Sequence, residues 1–118
     1  MVLFEEIRSG KNLNRFFERS NIDQVNVDNL VNNKKYFIIK IYEMYFLCGV
    51  FGKTLFVLCG EGEGLEKSSL AMIELCTARK FEKIEFVTVR KGMIKVLTKY
   101  GFCVINKEDN KNILEKRL

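Results

Sequence analysis

The sequence predicts a mixed α+β or α/β sandwich, built as one domain over residues 1–118. Three observations point there. Three apolar runs, Tyr36 to Ile41, Met44 to Phe51 and Thr54 to Cys59, follow one another with only turn residues between them. Behind them comes a strand-helix-strand-helix-strand order, which requires a crossover onto a neighbouring strand. Between the two halves, Gly60-Glu61-Gly62-Glu63-Gly64 joins an apolar strand to a helix through alternating glycines.

Each element has its own signal. Val2 to Arg8 reads as an opening strand, broken by Ser9-Gly10-Lys11-Asn12. Leu13 to Arg19 reads as a short helix with Leu13, Phe16 and Phe17 on one side. Ser20 to Lys35 is polar, and Asp28 is placed to cap a short turn carrying Leu30 and Val31. The three apolar runs form a meander, with Gly52-Lys53 as a two-residue turn of type II′ because Gly stands first. Glu66 to Arg79 has helical spacing, and Leu70, Ile73, Leu75 and Cys76, with Ala71, Met72 and Ala78, give it a broad apolar surface, one side of which packs on the sheet. After the connection Lys80 to Lys83, Ile84 to Val89 is a strand. Lys91 to Tyr100 is a helix with Ile94, Leu97 and Tyr100 on one face. Gly101 supplies a left-handed cap, and Phe102 to Ile105 is the next strand. The tail from Asn106 is polar, with Ile113 and Leu114 the only support for a last strand.

Composition narrows the chemistry. With 118 residues, 47% of them apolar, the chain suits one small core. No run is long enough to span a bilayer and no basic segment leads into an apolar one, so the expectation is a cytoplasmic protein with no membrane partner. Histidine is absent, which excludes Ser-His-Asp and Cys-His machinery and every histidine base. Cys48, Cys59, Cys76 and Cys103 form no C-x-x-C pair and read as small core residues rather than metal ligands. Net charge is +5, from 20 Lys and Arg against 15 Asp and Glu, a mild bias toward anionic partners. Lys91, Lys95 and Lys99 recur along one helix face without interleaved aromatic residues, so that face reads as solvated and nucleic acid is not the expected partner. An apolar edge strand near the tail offers a contact for a homodimer.

The glycine junction is where a ligand is expected. A helix N-terminus presents unpaired N–H groups and a positive dipole end, which together favour an anion. Lys67-Ser68 matches the end of a Walker loop, but Glu61 and Glu66 stand where that loop needs glycine. A dinucleotide fingerprint fails because Leu65 and Lys67 occupy the third-glycine positions.

Two segments resemble the GNAT acetyltransferase superfamily. Gly60-Glu61-Gly62-Glu63-Gly64-Leu65 is similar to the signature Gln/Arg-x-x-Gly-x-Gly/Ala, with Gly62 and Gly64 at its glycines. Arg90 to Phe102 is similar to the family's helix ending in Gly-Phe. Ile7-Arg8 fits its opening strand. The chain looks shorter than most members and most like the divergent GNAT-like proteins of phage and prophage genomes. The resemblance implies a mixed, mainly antiparallel sheet with helices on both faces. It also implies acetyl-CoA as cofactor and an amine, small molecule or protein, as acceptor. The carrier's arm would lie between two splayed strands, against Leu58 and Cys59. Its pyrophosphate would sit on Gly60, Glu61, Gly62, Glu63, Gly64 and Leu65, where glycines admit the backbone. On this reading Gly62→Val should abolish binding with little loss of fold.

The chain also departs from the pattern. Cys59 stands at the Gln/Arg position, and Leu97 where a tyrosine serves as general acid. Tyr100 lies further round the helix. Glu61 and Glu63 oppose a pyrophosphate by about 1 kcal/mol each when partly desolvated, with Lys67, Arg90 and Lys91 as the cations able to offset them. The two glutamates read as a solvated acidic turn capping the helix, or else as a general base or receptor for a cationic acceptor. No catalytic residue is assigned, Tyr100 and Glu61 being the only nominations. Two functions follow: an acyl-CoA-dependent N-acyltransferase, or an inactive binding module of the same fold, such as a phage accessory or virion protein.

Overall fold

In the computed structural model the described residues are 4–7, 36–108 and 111–118. The helix expected at Leu13 to Arg19 and the turn after Asp28 lie outside them. The described elements are β1 (Phe4–Ile7), β2 (Tyr36–Ile41), β3 (Met44–Phe51), β4 (Thr54–Gly62), α1 (Leu65–Ala78), β5 (Lys83–Thr88), α2 (Lys91–Lys99), β6 (Cys103–Glu108) and β7 (Lys111–Arg117).

The strands form one sheet in the order β1-β2-β3-β4-β5-β7-β6. Only β4 and β5 pair in parallel; every other neighbouring pair is antiparallel. This is the mixed, mainly antiparallel sheet that the sequence predicts. The hairpin turn between β3 and β4 is also as expected. Gly52 has φ 61° while Lys53 stays at negative φ, and Phe51 pairs with Thr54. Only the first turn residue is left-handed, as type II′ demands.

Helix α2 ends as Gly101 predicts. With φ 95° at Gly101, the Phe102 N–H donates to the Leu97 carbonyl at 3.1 Å and the Gly101 N–H to the Thr98 carbonyl at 3.2 Å. Leu97 and Phe102 are both buried in the core, which completes a Schellman motif with its apolar contact. Helix α1 ends in the same way without a glycine. Phe81 N–H donates to Cys76 and Lys80 N–H to Thr77, so Lys80 takes φ 64°.

The core lies between the sheet and the two described helices. Ile39, Ile41, Met44, Phe46, Val57 and Phe86 come from the strands, and Met72, Cys76, Met93 and Leu97 from the helices. Phe46 and Phe86 meet edge to face, with centroids 6.1 Å apart. Helix α1 packs part of its broad apolar surface on the sheet, through Ala71, Met72 and Cys76 with Ile73 beside them. Ser68, Ser69, Ala71, Met72 and Cys76 are buried, whereas Leu70 is 49% exposed. Small side chains bring the helix close to the strands, and the Ser68 hydroxyl meets its hydrogen-bonding need by donating to the Ile41 carbonyl at 2.9 Å.

The tail contributes more than its polarity suggests. Strand β7 inserts between β5 and β6, and fully buried Leu114 pairs with Phe86. Lys83 reaches Glu85 and Glu115 at 3.3 Å each. Strand β6 is the sheet edge, and all six of its residues are exposed.

Candidate functional site

Strand β4 runs three residues further than its apolar run. Gly60, Glu61 and Gly62 are strand residues paired with Phe46, Tyr45 and Met44 of β3, so only Glu63 and Gly64 form the turn. Opposite them the β3–β4 register slips. Leu47 pairs with Cys59 and Cys48 with Val57, which leaves Leu58 as the extra residue of a bulge. A bulge bends its strand and increases the local twist. The parallel ladder to β5 stops at the same place. Its last pair is Val57 with Phe86, although both strands continue beyond it. The two strands therefore part, and the gap between them is a cavity of about 40 Å³.

Leu58, Cys59 and Gly60 line the gap on one side; Val87, Thr88 and Val89 line it on the other, with Arg90 and Met93 at its end. The sequence nominated the first three. The resemblance implies a second splayed strand opposite them but singles out none of its residues, because Val87 and Thr88 belong to an ordinary apolar strand. At Gly60 an added Cβ would come within 2.7 Å of the Phe46 ring. That wall is therefore bare main chain, with Phe46 behind it.

A second cavity of about 220 Å³ adjoins the helix start and is lined by Met44, Gly62, Leu65, Arg90, Gly92 and Met93. Arg90 and Met93 line both cavities. Gly64 is the N-cap of α1 with φ 82°, no side chain caps the helix, and the first intrahelical bond runs from Ser68 N–H to the Gly64 carbonyl at 2.9 Å. The N–H groups of the first turn thus have no acceptor within the helix.

Gly62 carries a packing constraint beyond what the resemblance implies. It has φ 128°, and an added Cβ would overlap the carbonyl oxygen of Glu43 in the β2–β3 turn. Its glycine identity serves this close packing, so Gly62→Val disrupts the fold as well as the site. The same turn is fixed elsewhere. Glu63 N–H points to the Glu43 carbonyl at 3.4 Å, and the Lys67 ammonium lies 3.9 Å from the centroid of the Tyr42 ring. Tyr42 itself has φ 54°, an uncommon conformation for a bulky residue, held beside the candidate site.

The two glutamates have separate fates. Glu63 is exposed, as a solvated turn would have it. Glu61 is not. Alternation with Gly60 turns it to the sheet face away from the described helices, its side chain is only 5% exposed, and its Oε2 accepts a hydrogen bond from Arg90 Nη1 at 3.1 Å. Arg90 is held at both ends of its peptide unit. Its N–H donates to Thr88 Oγ1 at 3.1 Å, and its carbonyl accepts the N–H groups of Met93 and Ile94 as the N-cap of α2. Of the three cations able to offset the loop, Arg90 is the one joined to Glu61; Lys67 lies over Tyr42, and Lys91 is exposed.

Tyr100 closes the far end of α2 and lines neither cavity, and Leu97 is part of the buried core. Glu66 reaches Lys99 at 3.5 Å, an exposed pair of small energetic worth. Burial pushes the Cys48 thiol well above its usual range, with Cys76 and Cys59 adding to the effect. The Cys76 thiol is pushed up to about 12, again by burial, with Arg79 pulling slightly back. Both stay protonated at neutral pH. No cluster of three or more metal-ligating side chains occurs among the described residues.

This architecture, with a bulged β4 splayed from β5 ahead of a helix N-terminus, is the GNAT acetyltransferase fold. The chain aligns over its whole length with an acetyltransferase of Bacillus subtilis in complex with CoA, at a TM-score of 0.73 and 10% identity, covering 99% of that chain. It aligns over 99% of its length with the ribosomal-protein-S18-alanine N-acetyltransferase of Escherichia coli, covering 94% of that chain, at a TM-score of 0.70 and 8% identity. Ard1 from Thermoplasma volcanium gives 0.68 and 13% identity, with 98% of this chain and 97% of that chain covered. No family model matches the sequence, and no curated protein matches it.

Proposed function

We propose that the protein is an acyl-CoA-dependent N-acyltransferase acting on an amine. The observation that carries this reading is the end of the parallel ladder at Val57 and Phe86 while both strands run on. Main-chain groups beyond that point are available to an amide-bearing arm lying along Leu58, Cys59 and Gly60. The cavity at Gly62 and Leu65, under the first turn of α1, suits the carrier's pyrophosphate. The residues fit such a group better than the loop sequence suggests, since Glu61 is neutralised by Arg90 and Glu63 points to solvent. At about 40 Å³ the gap holds little more than water, so an arm enters only as the strands part further.

Acetyl-CoA supplies an activated thioester. The main chain of Leu58, Cys59 and Gly60 would hold that thioester along the β4 edge, a main-chain N–H there would polarise its carbonyl, and the apolar walls Leu58, Val87 and Met93 would exclude water. The attacking amine forms the C–N bond as the C–S bond breaks, and its proton leaves with the thiol or to solvent. The B. subtilis and E. coli proteins are an acetyltransferase with CoA and an alanine N-acetyltransferase by description. That supports the cofactor class and an amine acceptor.

The second reading, an inactive binding module, is favoured by Leu97, which fills the core at the position of the family's general acid. Titration calorimetry with CoA and acetyl-CoA separates the two, followed by thiol release in the presence of an amine panel. Micromolar binding with thiol release supports the enzyme. Binding without release leaves the module, and no heat at millimolar ligand removes the transferase reading.

A further inference from the structure

We propose that Arg90 is the phosphate-reading, specificity-determining residue of the groove, and that Glu61 is the positioning residue that aims it. The inference rests on the carrier reading above. Three observations converge on it. Arg90 lines both the gap and the cavity under α1, the place where the arm would join the pyrophosphate. Its guanidinium gives Nη1 to Glu61, while its side chain remains 35% exposed. A guanidinium carries five donors in a rigid fork, so one carboxylate contact leaves others for a phosphate. Finally, the position where the signature places a Gln or Arg is Cys59, buried in the gap wall and unable to supply a cation.

The energetics decide how the pair behaves. Withdrawing the guanidinium would take a donor from a carboxylate that is only 5% exposed, whereas a phosphate can use the guanidinium's remaining donors without that loss. Arg90 therefore keeps Glu61 when a ligand arrives and bridges the buried carboxylate to the phosphate. Glu61 then supports anion binding, the reverse of the repulsion its charge suggests in sequence. It fixes the arginine from the far face of the sheet, while the Thr88 hydroxyl and the N-cap bonds fix its main chain.

The test compares CoA with pantetheine, which has the arm without phosphates, by calorimetry on the full chain. The wild type must first bind CoA; if it binds neither ligand, the carrier reading fails and this proposal with it. Given binding, Arg90→Gln should weaken CoA about tenfold and leave pantetheine within about twofold. It should also flatten the salt dependence of CoA binding. Arg90→Lys should recover part of the loss. Glu61→Gln should not tighten CoA, and Glu61→Ala should weaken it while sparing pantetheine. Because Arg90→Gln takes the guanidinium from a buried carboxylate, the double variant Glu61→Gln/Arg90→Gln is the control for folding. Its melting temperature should recover while its CoA affinity stays low. Equal losses for CoA and pantetheine would reduce Arg90 to a structural strut, and a fivefold tightening by Glu61→Gln would mean the carboxylate opposes the phosphate. Either result overturns the proposal.

Discussion

Gly62 lies directly against the carbonyl oxygen of Glu43, with no room for a Cβ between them. This contact joins the β2–β3 turn to the strand-to-helix junction. It divides the two signature glycines by function, since an added Cβ at Gly64 meets nothing within 4 Å.

The two glycines should respond differently to alanine. Gly62→Ala forces the β2–β3 turn away and should cost about 3 kcal/mol. Gly64→Ala carries only the left-handed backbone penalty of about 1–2 kcal/mol. Chemical denaturation of both variants checks this. Equal losses would mean that the Glu43 contact is not the constraint at Gly62.

Lys80 takes a left-handed conformation at the end of α1, where glycine is the usual residue. Lys80→Gly should stabilise the protein by about 1 kcal/mol. That corresponds to a rise in Tm of about 4 °C. A thermal melt showing no rise would place the strain elsewhere.

Leu114 anchors β7 between β5 and β6 beside Phe86. Leu114→Ala should cost about 2–5 kcal/mol, whereas substitution of exposed Val104 on β6 should stay within about 0.5 kcal/mol. Urea titration of the two variants tests whether the tail is part of the core.

The buried thiols set an alkaline limit. The Cys76 thiol titrates near 12 in the fold against an ordinary value of 9.0, because burial disfavours the thiolate. A folded-state value above the unfolded one means the stabilisation is complete below about 9 and is lost as pH rises toward about 12. Melting temperature should therefore fall across that window, and fall less steeply in Cys76→Ala. Parallel slopes in the two proteins would assign the loss to other groups.

Local chemistry was legible in the sequence. Gly52 and Gly101 fix their turns by φ sign alone, and the apolar runs mark β2, β3 and the start of β4. Hydrophobic periodicity failed where packing depends on small or single residues. Helix α1 buries Ser68 and Ser69 beside the expected Ala71, Met72 and Cys76, and leaves Leu70 exposed. Strand β7 rests on one fully buried leucine among charged neighbours, too little for a pattern. Of the candidate site, Leu58, Cys59 and Gly60 were readable from the glycine junction. The Glu61–Arg90 pair was not, because 29 residues separate its members and only the fold brings them together.

The parallel seam between β4 and β5 has four residue pairs, and among the described residues it is the one ladder joining two antiparallel blocks, β1 to β4 on one side and β5, β7 and β6 on the other. Parting the strands beyond Val57 and Phe86 therefore unzips no antiparallel ladder, and the Glu61–Arg90 contact spans the place where they diverge.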